Sequence, residues 1–200
     1  MHCLPIDVPH LWLYACIVLF VAILGTAVPI THAFLRKIKL DAPASWFETA
    51  TEFADQKQRL LDHDSRLVGT LKFWKNQAIA HRRLDNARVL WGLFSGVSLP
   101  VLVQLYDKSV PWANVFLTTL TFWTGLIVSL AYTFKSEELF RGYRQCESDY
   151  YDLTRSLLDN PAKTPTEREA QVTEYLKTVA RIRALARDVE TNAPPSAIHG

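Results

Sequence analysis

Three stretches of the chain carry no Asp, Glu, Lys or Arg: residues 11–30, 89–106 and 112–134. Each is almost continuously apolar. A helix of about 20 residues rises about 30 Å, the depth of a bilayer's hydrocarbon core. The pattern therefore predicts three membrane-spanning helices. Only Asp107-Lys108-Ser109-Val110-Pro111 separates the second from the third. So short a link forces an antiparallel hairpin. Pro29 falls at the far end of the first stretch, where a break costs little, and Pro100 predicts a kink in the second. The first span either joins the hairpin or stands apart as an accessory anchor.

The remaining sequence changes period rather than character. Phe53, Leu60, Leu67, Leu71, Trp74, Ala78 and Leu84 recur at helical spacings. They predict a long amphipathic helix over 44–88 that runs into the second span, with Gly69 as its weak point. Beyond the third span the helix is expected to continue inward without a break. Leu139 or Phe140, Tyr143, Cys146, Tyr150, Leu153 and Leu157 step by three and four until Asn160-Pro161. Thr164-Pro165-Thr166-Glu167 reads as a capping box with proline in the first turn. The helix it opens carries a narrow stripe of Val172, Leu176, Val179, Ile182, Ala186 and Val189. A stripe that narrow requires a partner helix, from this chain or another copy. The candidate interface on these inner helices is Tyr143, Tyr150, Leu153, Leu176, Val179 and Ile182.

The fold class expected is therefore an all-α membrane protein. A core antiparallel hairpin and an N-terminal span would be joined to long cytoplasmic helices. The expected segments are an anchor over 1–40, a core over 41–158, a last helix over 159–192 and a disordered tail over 193–200.

Charge then orients the spans. Arg36, Lys37, Lys39, Lys72, Lys75, Arg82, Arg83, Arg88, Lys135, Arg141 and Arg144 fall on one side and Lys108 alone on the other. Basic residues stay on the cytoplasmic side. The N-terminus is expected outside and the C-terminus in the cytoplasm of a bacterial inner membrane. A net charge of +2 is too mild to imply direct nucleic-acid binding. Cys3, Cys16 and Cys146 show no paired spacing, so free thiols are expected. Leu13-Tyr14-Ala15-Cys16 is a poor lipoprotein box, because Tyr14 is bulky. No basic residue precedes the first span, so it reads as a retained anchor rather than a cleaved signal.

Enzyme chemistry finds little material. The 7 glycines build no phosphate loop, and there is no nucleophile elbow or paired-histidine helix motif. No catalytic residue, cofactor or metal is expected. Asp62-His63-Asp64 reads as a solvated helix face, because successive helical side chains diverge. His81 and Asp85, four apart, read as a helix-stabilising pair. With no Asp, Glu, Lys or Arg inside a span, a coupled transporter is disfavoured. A pore lined by hydroxyls is not. Thr118, Thr119, Thr121, Thr124 and Ser129 supply them, with Thr121 and Thr124 three apart, although threonines also bond back to their own helix.

Gly92 and Gly96 form a GxxxG step, extended by Ser98 and followed by Pro100. Small residues at that spacing let helices approach closely, and the neighbouring kink offers a place for gating. Arg82, Arg83 and Arg88, with Lys72 and Lys75, form a basic collar; Arg141 and Arg144 follow the third span. These arginines suit anionic lipid headgroups or a phosphorylated ligand.

Several of these residues together resemble a known family. Phe73-Trp74-Lys75, Ala80-His81-Arg82-Arg83-Leu84, Leu99-Pro100-Val101-Leu102, the outer Trp112 and Phe134-Lys135-Ser136-Glu137-Glu138-Leu139-Phe140-Arg141-Gly142-Tyr143-Arg144-Gln145-Cys146-Glu147 follow the pattern of the SLATT superfamily of bacterial two-span effectors. The resemblance covers roughly residues 60–158. It implies an oligomeric effector of prokaryotic anti-phage defence that forms a pore or depolarises the membrane, causing abortive infection. It also implies a separate sensor protein or a nucleotide second messenger as trigger. The first span and the last helix depart from the two-span pattern. The alternative expectation is a non-pore scaffold whose inner helices recruit a soluble partner.

Overall fold

A computed structural model of the chain describes residues 8–35, 46–48 and 50–191. The expected tail over 193–200, Cys3 and the basic residues Arg36, Lys37 and Lys39 lie outside them. Among the described residues the fold is all-helical, with no strand. It comprises α1 (Val8–Leu35), α2 (Lys57–Gln104), α3 (Pro111–Thr133), α4 (Ser136–Asp159) and α5 (Pro165–Glu190), with a 3₁₀ turn over Thr51–Gln56 before α2. Three of these helices, α1, α2 and α3, are long and apolar enough to cross a membrane.

The boundaries correct the sequence reading in four places. The helix expected from Ala44 begins at Lys57, because Phe53 leaves helical geometry (φ −104°, ψ 30°) and kinks the chain. Helix α2 then runs unbroken through Gly69, whose cost is small beside the packing on either side. Helix α1 likewise continues past Pro29 to Leu35. Helix α3 does not flow into α4. Lys135 takes a left-handed backbone (φ 44°), its N–H donates to the Tyr132 carbonyl, and a new helix starts at Ser136. Ser136-Glu137-Glu138 is itself a helix-start signal, with two acids in the first turn favoured by the helix dipole.

The described residues divide into two discontinuous units. One draws on Met1–Arg36 and Ala80–Ser136, the other on Lys37–Ile79 and Glu137–Gly200. Helix α2 thus contributes to both.

In the first unit, α1 packs into the hairpin rather than standing apart. Trp12 meets Phe116 edge-on with centroids 5.7 Å apart, and the Cys16 thiol donates to the Trp112 carbonyl at 3.4 Å. The N-terminal ends of α1 and α3 therefore lie side by side. Helix α2 runs the other way along α1. The Trp91 indole N–H donates to Thr26 Oγ1 at 3.3 Å, Arg83 donates to the Pro29 carbonyl at 3.0 Å, and His81 meets Phe34 edge-on. Trp91 also contacts Trp123 of α3. Ala113 and Leu120 are fully buried at the centre, so the unit is a filled up-down-up bundle.

In the second unit, α2, α4 and α5 close around the predicted stripes. Leu60, Leu67, Trp74 and Ala78 meet Tyr143, Cys146, Tyr150 and Leu157, and α5 covers them with Val172, Tyr175, Val179, Ile182 and Ala186. Helix α4 is antiparallel to α2, as the pairs Asp64–Tyr150 and Phe73–Tyr143 show. Trp46 stacks on Tyr151, and Phe47 is buried against Tyr175.

Candidate functional site

The membrane-type helices place the small-residue step in the open. A side chain added at Gly92 or Gly96 would meet nothing within 4 Å. Gly96 is exposed, with Leu93, Val97 and Val101 beside it on the surface. Among the described residues, therefore, neither glycine is packed against another helix. Pro100, also exposed, lies within a continuous α2. Having no N–H, it leaves the Gly96 carbonyl without its usual helical donor. The Ser98 hydroxyl donates to the Phe94 carbonyl one turn earlier, at 2.6 Å.

The two threonines part company. Thr121 is exposed, and its hydroxyl bonds back to the Leu117 and Thr118 carbonyls at 2.8 and 3.0 Å. That is the self-satisfied arrangement expected of a helical threonine. Thr124 instead lies on the inner stripe between Leu120 and Ile127. Its buried hydroxyl oxygen has no hydrogen-bond partner among the described residues, and neither has the neighbouring Trp123 indole nitrogen.

The arginines do not converge. Arg88 is held by Asp85, with Nη2 2.7 Å from Oδ1, and its guanidinium lies 5.5 Å from the Tyr132 ring. That corrects the expected His81–Asp85 pair. Asp85 belongs to Arg88, and His81 is buried with its Nδ1 unpartnered among the described residues. Arg83 is spent on the Pro29 carbonyl, Arg141 on Glu137 at 2.6 Å and Arg144 on Glu147 at 2.6 Å. Arg82 is exposed and has an interaction partner of its own.

Glu147 is the more informative member. It is a buried carboxylate, 6% exposed, bridged by Arg144 on one oxygen and by Lys75 at 3.4 Å on the other. The Lys75 ammonium also sits 5.0 Å from the Tyr151 ring centroid. Burial pulls the Lys75 proton down, but Tyr151 and Glu147 more than offset it and hold it above the ordinary lysine value. Removing both cations would strand the carboxylate away from water, which is costly.

The inner-helix interface is realised inside one chain. Tyr143, Tyr150, Val179 and Ile182 are buried; Leu153 and Leu176 are half-buried at its edge. The stripe of α5 thus finds its partners in α2 and α4, and Tyr175 rather than Leu176 supplies its second inward position. Asp62-His63-Asp64 is not a uniform solvated face either. Asp62 accepts from Gln58, whereas Asp64 accepts from the Tyr150 hydroxyl at 2.8 Å. Thr154 joins this polar core through the Tyr150 carbonyl at 2.9 Å and the Tyr175 hydroxyl at 3.3 Å. Burial pushes the Tyr150 and Tyr175 phenols up, so both remain neutral.

Sequence reasoning missed Glu147, Asp64 and Gly142. Nothing distinguishes the first two from surface acids except their place one step off an apolar stripe. Gly142 sits where a side chain would strike the Val189 methyls at 2.6 and 2.7 Å, so α4 and α5 approach closely there. Among the described residues no group of His, Cys, Asp and Glu could hold a metal ion. Comparison with protein-family models, curated proteins and solved structures gives no match to this chain.

Proposed function

We propose that this protein is a membrane effector of a prokaryotic anti-phage system, in which several copies associate through α2 and permeabilise the inner membrane. The observation that carries the reading is the open flank of α2. Gly92 and Gly96 present bare backbone beside Leu93, Val97 and Val101. Close packing of small residues is a main source of helix association in lipid. A filled three-helix bundle has no lumen of its own, so a pore needs copies arranged around an axis. The resemblance over residues 60–158 supports the same function, with a separate sensor or a nucleotide second messenger as trigger and no enzymatic step. The lipid bilayer is the immediate partner. The scaffold alternative is less favoured, because the stripe of Val172, Val179 and Ile182 that would recruit a partner is already buried within the chain.

The test is dye entry into cells expressing the protein, or dye release from liposomes reconstituted with it. The wild type is expected to permeabilise; Gly96→Leu, which fills the flank without touching the bundle, is expected to abolish permeabilisation while insertion is retained. Dye release unchanged by G96L, or none from the wild type when its cognate system is triggered, overturns the reading.

A further inference from the structure

Within the second unit a groove runs between α2 and α5. Thr70 and Phe73 form one wall, Arg183, Arg187 and Glu190 the other, and the buried Trp74 lies at its floor. It offers a volume of about 290 Å³, the lower end of what small-molecule sites enclose. The groove exists because α5 carries alanines at 180 and 186, so the helices are not filled to the surface there. Arg183 and Arg187 are one turn apart and share a face. Among the described residues, neither guanidinium forms an ion pair, in contrast to Arg88, Arg141 and Arg144.

The surroundings are cationic along one side. Burial, then Arg183, Arg66 and Arg59, lower the proton affinity of His63, with only Asp64 opposing. Asp64 is engaged by Tyr150. Phe73 is 40% exposed, held edge-on against Tyr143 at 6.0 Å. An anchored aromatic ring beside two uncommitted arginine forks and a hydroxyl is the donor set for a flat ring carrying a phosphate.

We propose that this groove binds a nucleotide. Arg183 and Arg187 take the phosphate, Phe73 stacks on the base, and the Glu190 carboxylate accepts from a sugar hydroxyl or an exocyclic amino group. Glu190 also disfavours an acidic peptide, whose flanking carboxylates it would repel. Binding at the groove deepens the function proposed above, resting on the nucleotide named there as one of the two triggers. Its test is read without dye release, so its failure and a failure to permeabilise are distinguishable.

The experiment is calorimetric titration of the full chain in neutral phosphatidylcholine nanodiscs with AMP. Adenosine, ribose 5-phosphate and inorganic phosphate are run alongside, and a second preparation contains phosphatidylglycerol. AMP is expected to bind, with each fragment weaker by about tenfold or more. R183A/R187A is expected to weaken AMP about tenfold or more, with R183K/R187K in between because charge survives but the fork is lost. F73L is expected to weaken AMP and leave ribose 5-phosphate unchanged. Circular dichroism confirms that each variant is folded before it is scored. Any of four results overturns the proposal: no AMP binding; AMP no tighter than phosphate; affinity indifferent to the arginines; or AMP displaced by phosphatidylglycerol, which would make the groove a lipid-headgroup site.

Discussion

Single residues decide how closely the inner helices meet. Gly142 is the clearest case, because the obstacle it avoids is a β-branched side chain with few alternative rotamers. Alanine ordinarily improves a helix by about 1 kcal/mol over glycine. Here overpacking, typically about 1–3 kcal/mol, outweighs that gain. Gly142→Ala is expected to lower stability by about 1 kcal/mol in thermal or chemical unfolding, and Val189→Ala in the same chain is expected to restore most of it.

Titration is set residue by residue as well. Burial pushes the Cys146 thiol up to about 11 and the Tyr143 phenol up to about 12. A group whose folded pKa is raised adds stability that is complete below its unfolded value and is lost as pH climbs. For Cys146 the loss begins near the ordinary thiol value of 9.0. His63 works from the other side. Its folded pKa is depressed, so the native state disfavours the imidazolium, and stability falls as pH drops below 6.5. The melting temperature is therefore expected to be highest between these limits and to decline on both sides. Cys146 is expected to resist thiol reagents at pH 8 until the protein is unfolded.

At the scale of the element, much was legible in advance. The stripe of Leu60, Leu67, Trp74 and Ala78 is buried as its spacing requires, because a period near 3.6 leaves one face no other place to go. The capping box of α5 is present as read. Thr164 Oγ1 accepts from the Glu167 N–H, and Glu167 accepts from the Thr164 N–H, both at 3.3 Å. Thr164→Ala is expected to cost about 0.5–2 kcal/mol, seen as fraying of the first turn of α5 in amide exchange. What was not legible depends on partners distant in sequence. Periodicity allows either Tyr175 or Leu176 to face inward, and Phe47 and Thr154 select Tyr175. The break at Lys135 carries no glycine, proline or asparagine to announce it; only the acids after Ser136 hint at a new start. Among the candidate site residues, Gly92 and Gly96 are recognisable in the sequence as small and apolar-flanked. Their openness, and the private partners of Arg83, Arg88 and Arg144, required the tertiary arrangement.

At the scale of the whole molecule, the three uncharged segments fall in one unit and most of the charged residues in the other, and the boundary between the units falls inside α2. That helix lends the residues before Ile79 to one core and those after Ala80 to the other. Each unit takes non-adjacent pieces of chain: the first needs α1 before it can surround the hairpin, and the second needs α4 and α5 before it can cover the stripe of α2.

This interleaving orders the protein's own synthesis. A nascent chain that has reached residue 136 already holds every piece of the first unit, yet Leu60, Leu67 and Trp74 remain without the helices that will shield them. Until α4 and α5 emerge from the ribosome, half of α2 is an adhesive surface on a chain already committed to its bilayer-sized bundle. A message cut short after α3 would yield every piece of the first unit together with the uncovered stripe of α2.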